Sequence, residues 1–169
     1  VWLGGCSGCH MSMLDMDERL FELLTMADIV YTPLSNRRAL PERIDVLLIE
    51  GAVAQEDDAE TLRILRVRSR TVVAFGDCAV TGNVTAMRNS FDRDQLLRAT
   101  FGPAGNTMGT DPSHHLPRLR NTVVPLHRII PVDFFLPGCP PTADLIWHVL
   151  TELLAGRTPV LDPETLQYG

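Results

Sequence analysis

The sequence predicts an α/β domain with a mainly parallel sheet and helices on both faces, and three observations support this prediction. Apolar runs at 45–51 and 71–75 each end at a glycine, as is typical of strands buried on both sides. The intervening residues 56–68 open with acidic and close with basic side chains, an order that complements a helix dipole. A last apolar run, 134–136, precedes another helical segment. Such alternation favours parallel strands joined by right-handed crossovers.

The other elements are assigned by periodicity and by their end signals. Met and Leu side chains recur at helical spacing over 12–26, which predicts a helix. Residues 142–155 form another predicted helix, which stops at Gly156, a typical residue just beyond a helix end. The remaining expectations are the end of a strand at 1–3, a short strand at 29–31, one or two helices at 83–100, and an irregular segment at 101–131 rich in Pro, Arg and His.

Composition limits the classes of function that this chain can have. Its 169 residues predict one domain, 1–169, long enough to bury a core. A net charge of −6 argues against a nucleic-acid partner, because phosphate binding requires clustered Lys and Arg. No stretch reaches the roughly 18 to 20 apolar residues of a membrane span. Four cysteines are too few for a disulfide scaffold, so a ligand role inside the cell is favoured.

The four cysteines are the candidate functional residues. Cys6 and Cys9, Cys78, and Cys139 each follow the end of a different predicted strand, and each has glycine beside it. Ligands of open parallel sheets bind at the edge formed by the carboxyl ends of the strands, so three loops could deliver four thiols to one place. Helix N-termini at the same edge would favour a negatively charged group. Four thiolates are the ligand set of a [4Fe-4S] cluster.

Other uses of these cysteines compete with a cluster. Buried cysteines often serve only as small apolar core residues. A Cys-x-x-Cys between strand and helix is also the thioredoxin-type redox motif, but that interpretation leaves two cysteines unexplained. Structural zinc usually takes two such pairs, and one is present. A flavin phosphate would call for Ser and Thr hydroxyls in the first loop, which carries cysteines instead. A cluster is therefore the favoured interpretation.

Three stretches resemble the cluster-binding segments of [NiFe]-hydrogenase small subunits, in particular the short small subunit of cytoplasmic, bidirectional NAD-reducing hydrogenases. They are VWLGGCSGCHMSMLD at 1–15, AFGDCAVTGNVTAMRN at 74–89 and LPGCPPTADLI at 136–146. Cys6 and Cys9 match the paired ligands of the first loop in that family. Cys78 matches the ligand after the central strand, and Cys139 matches the ligand of the Pro-Gly-Cys-Pro motif.

The resemblance implies a flavodoxin-like fold and one [4Fe-4S] cluster proximal to a Ni–Fe centre that belongs to a separate large subunit. Electrons from hydrogen would pass through the cluster to diaphorase subunits bearing FMN and Fe–S clusters, and so to NAD⁺. The chain would thus be an oxidoreductase subunit with no catalytic residue of its own. It lacks the cysteine-rich C-terminal extension of exported small subunits, which implies a cytoplasmic location.

Alternatives to NAD linkage stay open, since no residue identifies the nucleotide. They are an NADP- or deazaflavin-linked hydrogenase subunit, and a subunit like the cluster-bearing one of respiratory complex I. That last family has adjacent cysteines in its first loop, whereas Ser7 and Gly8 separate Cys6 from Cys9 here. A metal-stabilised docking scaffold is the non-enzymatic alternative. FMN on the same edge is permitted by the fold and is less favoured than the cluster.

Simpler roles are expected for the side chains around the cysteines. His10 is expected to be a polar residue at a helix start, rather than a donor to a cluster sulfur or a proton relay. Asp77 is expected to cap the following turn. The group His114, His115 and His127 is expected in a partner-contacting loop. Trp147 is expected to pack, and the methionines of the first helix to fill the core or a subunit interface.

Overall fold

A computed structural model describes residues 1–33, 39–101 and 116–166 of the chain. Its central feature is a parallel sheet of three strands in the order β1-β3-β5, accompanied by an antiparallel pair, β2-β4. The strands are β1 (Ile44–Glu50), β2 (Val53–Gln55), β3 (Ser69–Phe75), β4 (Leu119–Val124) and β5 (Phe134–Leu136).

The helices alternate with these strands along the described chain. They are α1 (Gly8–Leu14), α2 (Arg19–Met26), α3 (Glu56–Arg68), α4 (Asp77–Thr81), α5 (Asn83–Ala86), α6 (Arg93–Phe101) and α7 (Ala143–Leu154), with short 3₁₀ turns at Met87–Ser90, Leu126–Arg128 and Pro163–Thr165. As expected, α3 begins with three acidic side chains and ends with basic ones. The Thr142 hydroxyl caps α7 by accepting from the Leu145 amide, and Gly156 follows this helix with a φ of 73°.

The register of the sheet brings the strand ends to one level. Phe75 pairs with Glu50 on one side and with Leu136 on the other, so all three strands finish side by side. The first residues of the chain join the free edge of β1, where Trp2 forms a parallel bridge to Glu50 and the Leu3 amide donates to the Glu50 carbonyl over 2.9 Å. Four successive loops therefore leave the sheet at the same edge.

Apolar residues on both faces of the sheet explain why helices cover it twice. Side chains alternate along β3, so Val72 and Ala74 pack in one core with α3, whereas Val73 and Phe75 pack in another. The second core contains residues of α7, Cys9 of α1, Leu23 of α2, and Met16 from the turn between these two helices. The prediction of a flavodoxin-like α/β fold with a mainly parallel sheet and helices on both faces is confirmed.

Three predictions of local structure were wrong. The expected helix at 12–26 is broken into α1 and α2, because Asp17 adopts a left-handed φ of 50° that turns the chain between them. Residues 29–31 form no strand; they border an apolar cavity of about 150 Å³ instead. Within 101–131, the described part contains β4; the polar side chains of this strand had hidden its strand pattern.

No helix in the described ranges is long and apolar enough to cross a membrane.

Candidate metal centre

The four cysteines lie where the strand ends bring their loops together. Cys6 precedes α1 and Cys9 lies within it, Cys78 is the second residue of α4 directly after β3, and Cys139 follows β5. All four are free thiols, so none is engaged in a disulfide. Cys9 is buried, Cys78 is intermediate, and Cys6 and Cys139 are exposed. The predicted placement beyond strand ends holds for Cys78 and Cys139, which follow β3 and β5. Cys6 and Cys9 instead follow residues 1–4, where the expected strand is reduced to isolated bridges at Trp2 and Gly4.

A close approach at Gly76 shows how tightly the first loop meets the central one. Gly76 has a φ of 84°, and a Cβ placed on it would lie 2.2 Å from the Sγ of Cys9. The same hypothetical atom would lie 3.4 Å from the carbonyl oxygen of Gly138, in the third loop. Only a residue without a side chain allows this approach and this backbone conformation together.

The pKa of the Cys9 thiol also indicates that the cysteines lie near one another. Burial raises the pKa of the Cys9 thiol far above its ordinary value, and the charges of Glu50, Cys6, Cys78 and Cys139 add to the rise. Three cysteines from other positions in the chain therefore act on one thiol. Without a cation Cys9 holds its proton, and a bound metal would have to supply the positive charge that releases it.

Two hydrogen-bonded contacts fix the Cys139 loop to its neighbours. The Asp77 carboxylate accepts from the Gly138 amide over 2.7 Å, and the Asp77 amide donates to the Gly138 carbonyl over 2.9 Å. From α1, the Ser12 hydroxyl donates to the Pro141 carbonyl over 2.5 Å. Asp77, which was expected to cap the following turn, is the first residue of α4, and its carboxylate bridges two cysteine loops.

A buried polar pair attaches the first loop to the sheet. Glu50, at the end of β1, accepts from the His10 amide over 3.0 Å, and its carboxylate also contacts the Nδ1 of His10. His10 is 7% and Glu50 2% exposed, so both side chains are inside the fold. His10 lies at the start of α1, as expected, but it is buried and paired with Glu50. The partner was missed, although a carboxylate ending an apolar run was a visible signal.

The exposed sulfur of Cys6 has a nitrogen donor beside it. The Gly8 amide donates to the Sγ of Cys6 over 3.4 Å, in a loop turned by the left-handed φ of 65° at Ser7. Burial raises the pKa of the Cys139 thiol, and the Asn83 side chain opposes this rise. The expected contribution of helix dipoles is small, because α1 has seven residues and α4 five.

Thiols are ligands both of zinc and of iron–sulfur clusters. Within the described ranges, no group of three or more His, Cys, Asp or Glu side chains is gathered closely enough to hold a single metal ion. Thiolates around one zinc share a single centre, whereas the ligands of a four-iron cluster bind different iron atoms and stand farther apart.

Other residues singled out in the sequence lie away from this edge or outside the described ranges. His127 is exposed and packs edge-on against Phe135, with 6.0 Å between the ring centroids. His114 and His115 lie outside the described residues. Trp147 packs in the second core beneath the guanidinium of Arg19, as expected. Of the methionines expected as core or interface residues, Met16 is buried, whereas Met11 and Met26 are exposed.

Fold and site together define a class: a flavodoxin-like α/β domain that presents four free thiols at the carboxyl edge of its parallel sheet. The sequence profile of the family described as NADH ubiquinone oxidoreductase, 20 Kd subunit, matches residues 6–153. The chain belongs to this family.

Named relatives place hydrogenase subunits among the most similar proteins. The chain is 40% identical over 162 residues to the NAD-reducing hydrogenase HoxS subunit delta of Cupriavidus necator, which covers 93% of this chain and 78% of that protein. It is also 37% identical over 163 residues to an F420-non-reducing hydrogenase subunit of Methanocaldococcus jannaschii. That match covers 95% of this chain and 57% of the relative. The chain thus spans little more than half the length of the methanogen relative. The resemblance to hydrogenase small subunits is confirmed.

Solved structures agree with this assignment. A chain of an NAD⁺-reducing [NiFe]-hydrogenase in the H₂-reduced state superposes with a TM-score of 0.90 and 41% identity, over 99% of this chain and 96% of that one. The Ni-Fe-Se hydrogenase from Desulfomicrobium baculatum gives a TM-score of 0.53 at 18% identity. This match covers 99% of this chain and 68% of that one, and it shows only that the fold is shared.

Proposed function

We propose that the chain is the electron-transfer small subunit of an NAD-reducing [NiFe]-hydrogenase, with one [4Fe-4S] cluster bound by Cys6, Cys9, Cys78 and Cys139. The observation that carries the proposal is the convergence of four free thiols on one sheet edge. Two relatives whose matches span more than three quarters of both chains, at 40% and 41% identity, are NAD-reducing hydrogenase proteins.

The chain's own residues would hold and tune the group rather than carry out chemistry on hydrogen. A [4Fe-4S] cluster accepts and returns single electrons, and its potential depends on ligation, burial and hydrogen bonds to sulfur. Gly76 leaves room beside Cys9, and Asp77 keeps the loops of Cys78 and Cys139 in register. The pair of His10 and Glu50 holds α1 against the sheet. None of these groups needs to exchange a proton for electron transfer to occur.

Exposed apolar side chains support a partner at the same edge. Trp2, Met11, Val84 and Met87 belong to segments that adjoin the cysteine loops, and each has between 47% and 68% of its surface exposed. Large apolar groups at a protein surface are typical of interaction sites when they occur together. We infer that this side receives the large subunit with the Ni–Fe centre, and that diaphorase subunits with FMN and further clusters complete a cytoplasmic complex.

Purification of the complex with its natural partners tests the proposal most directly. We expect four irons for this chain, beyond those of its partners, and an EPR signal that appears on reduction with hydrogen. Each Cys→Ser variant is expected to lose or convert the cluster and to abolish hydrogen-driven NAD⁺ reduction. Zinc in place of iron, or full activity in two such variants, would contradict the proposal. Reduction of a deazaflavin or NADP but not of NAD⁺ would contradict only the assignment of NAD⁺ as the electron acceptor.

A further inference from the structure

The 3₁₀ turn after α5 and the residues that follow it carry the kinds of side chain that protein interfaces favour. Met87 is 68% and Phe91 62% exposed, and Arg88 is half-buried. Aromatic residues, Met and Arg are enriched in protein–protein interfaces relative to the rest of the surface. The preceding helix adjoins the first cysteine loop, because the Thr85 hydroxyl donates to the Gly4 carbonyl over 3.0 Å. These residues thus extend the exposed apolar surface beside the cysteine edge.

The guanidinium of Arg88 is held in place by the backbone of β4. Its Nη2 donates to the carbonyl of Arg120 over 3.0 Å. The Nη1 of Arg93 donates to the preceding carbonyl, that of Leu119, over 3.4 Å. Two guanidinium groups therefore bind successive carbonyls of one strand. A side chain that is already fixed loses less freedom when it binds a partner, so Arg88 is prepared for a contact from outside.

The charge of Arg88 has no carboxylate partner among the described residues. Arg93 pairs with Asp94 over 2.6 Å and Arg120 with Glu56 over 2.8 Å, whereas Arg88 donates to a carbonyl oxygen. The Nη1 atom of Arg88 is buried and completes no hydrogen bond in the described part of the chain. Burial and the nearby charge of Arg93 both lower the pKa of Arg88 from its ordinary value. A carboxylate from outside would complete the pairing of this cation.

We propose that Arg88, flanked by Met87 and Phe91, anchors the interface with the large subunit by binding a carboxylate of that subunit. This inference rests on the proposed function, in which the large subunit binds on the same side of the chain. A guanidinium binds a carboxylate through two parallel hydrogen bonds, which gives both strength and a defined orientation. A free inorganic anion would also neutralise the charge, but it would leave both apolar side chains exposed. The combination of a fixed cation with exposed apolar groups favours a protein partner.

The experiment measures how readily the large subunit dissociates from the purified hydrogenase complex, by analytical ultracentrifugation of a dilution series. We expect the dissociation constant to rise roughly 10- to 100-fold in Arg88→Gln. Arg88→Lys keeps the charge and loses the planar fork, so the rise should be roughly three- to tenfold. Phe91→Ser changes an exposed side chain and should raise the constant roughly tenfold. The matched control is Arg70→Gln, at an exposed position near the start of β3, with a change of less than about twofold.

Thermal unfolding and iron content of each variant separate the possible outcomes. Unchanged dissociation in Arg88→Gln or Phe91→Ser, with iron retained, would overturn this inference and leave the proposed function standing. An unstable Arg88→Gln together with normal dissociation in Phe91→Ser would also overturn it, since Arg88 would then act only within the fold. Stabilisation of the parent complex by inorganic phosphate, absent in Arg88→Gln, would replace the carboxylate with a free anion. A natural complex without a Ni–Fe large subunit would contradict the proposed function itself.

Discussion

The two ends of the parallel sheet use polar residues in opposite ways. At the carboxyl end, His10, Glu50 and Asp77 are each at most 7% exposed and link separate loops. At the far end, Arg66 pairs with Asp133, whose side chain is 39% exposed. Burial of polar groups is costly unless each is hydrogen-bonded, so a fold tends to retain such groups where position matters. At the cysteine edge, buried polar groups join separate loops and so hold them in a defined geometry.

The largest effect should come from the cysteines themselves. Cys9→Ser is expected to remove the cluster entirely, because this ligand is buried and no water can replace it, and hydrogen-driven NAD⁺ reduction should fall more than about 100-fold. Cys139→Ser, at an exposed position, should lose activity and retain part of its iron. Iron analysis with EPR measures both. Equal iron loss in the two variants would show that the burial of Cys9 makes no difference to how firmly iron is held.

Removal of the buried carboxylate should be next in size. Glu50→Ala leaves the amide and ring of His10 without their acceptor inside the fold, and we expect a loss of about 2–5 kcal/mol in the free energy of unfolding. The control is Asp144→Ala, whose carboxylate pairs with Arg19 at 85% exposure and should contribute at most about 1 kcal/mol. Denaturant unfolding of the metal-free chain compares the two. Similar losses in the free energy of unfolding would mean that the buried Glu50 carboxylate contributes no more to stability than an exposed one.

Two glycines with left-handed backbones provide a matched pair. Gly76→Ala combines backbone strain with a contact against the Cys9 sulfur, and should cost about 2–4 kcal/mol. Gly156→Ala, at a φ of 73° with nothing within 4 Å, should cost only about 1–2 kcal/mol from strain. Thermal unfolding gives the difference, and iron content should fall only in the first variant. If both variants bind iron equally well, Gly76 does not shape the site.

The smallest predicted effect separates two aspartates that both accept from a backbone amide. Asp77→Ala leaves the Gly138 amide unpaired within the fold and should lower the free energy of unfolding by about 1–3 kcal/mol. Asp162→Ala breaks a bond of 3.0 Å to the Glu164 amide in an exposed turn, where water can replace it. Its effect should stay below about 1 kcal/mol. Chemical unfolding measures both, and a larger effect at Asp162 would reverse the comparison.

The strands and longer helices of the fold were predictable because their signals are local. Apolar runs ended by glycine marked β1 and β3, and the charge order of residues 56–68 marked α3 within its observed bounds. The break between α1 and α2 was not predictable, since it depends on how Met16 turns into the core, where it is 4% exposed. β4 was hidden because its partner β2 has only three residues and lies far away in sequence.

The cysteines of the candidate site could be recognised in the sequence, whereas the contacts that hold their loops could not. Cysteines beside glycines after strands can be recognised along the chain, because spacing and residue type carry that information. The contacts of Glu50 with His10 and of Ser12 with Pro141 join residues 40 and 129 positions apart. No local pattern encodes such contacts, since they form only when separate loops meet at one edge.

The sequence by itself determined the alternation of strands and helices, the four candidate thiols and the kinship with hydrogenase small subunits. Only the tertiary structure decided that the strands end in register, that Gly76 makes room for Cys9, and that Asp77 links two loops. The physical reason is the distance along the chain over which each kind of signal acts. Periodicity and residue type act within a few neighbours, whereas burial, close approach and shared hydrogen bonds arise from segments that only folding brings together.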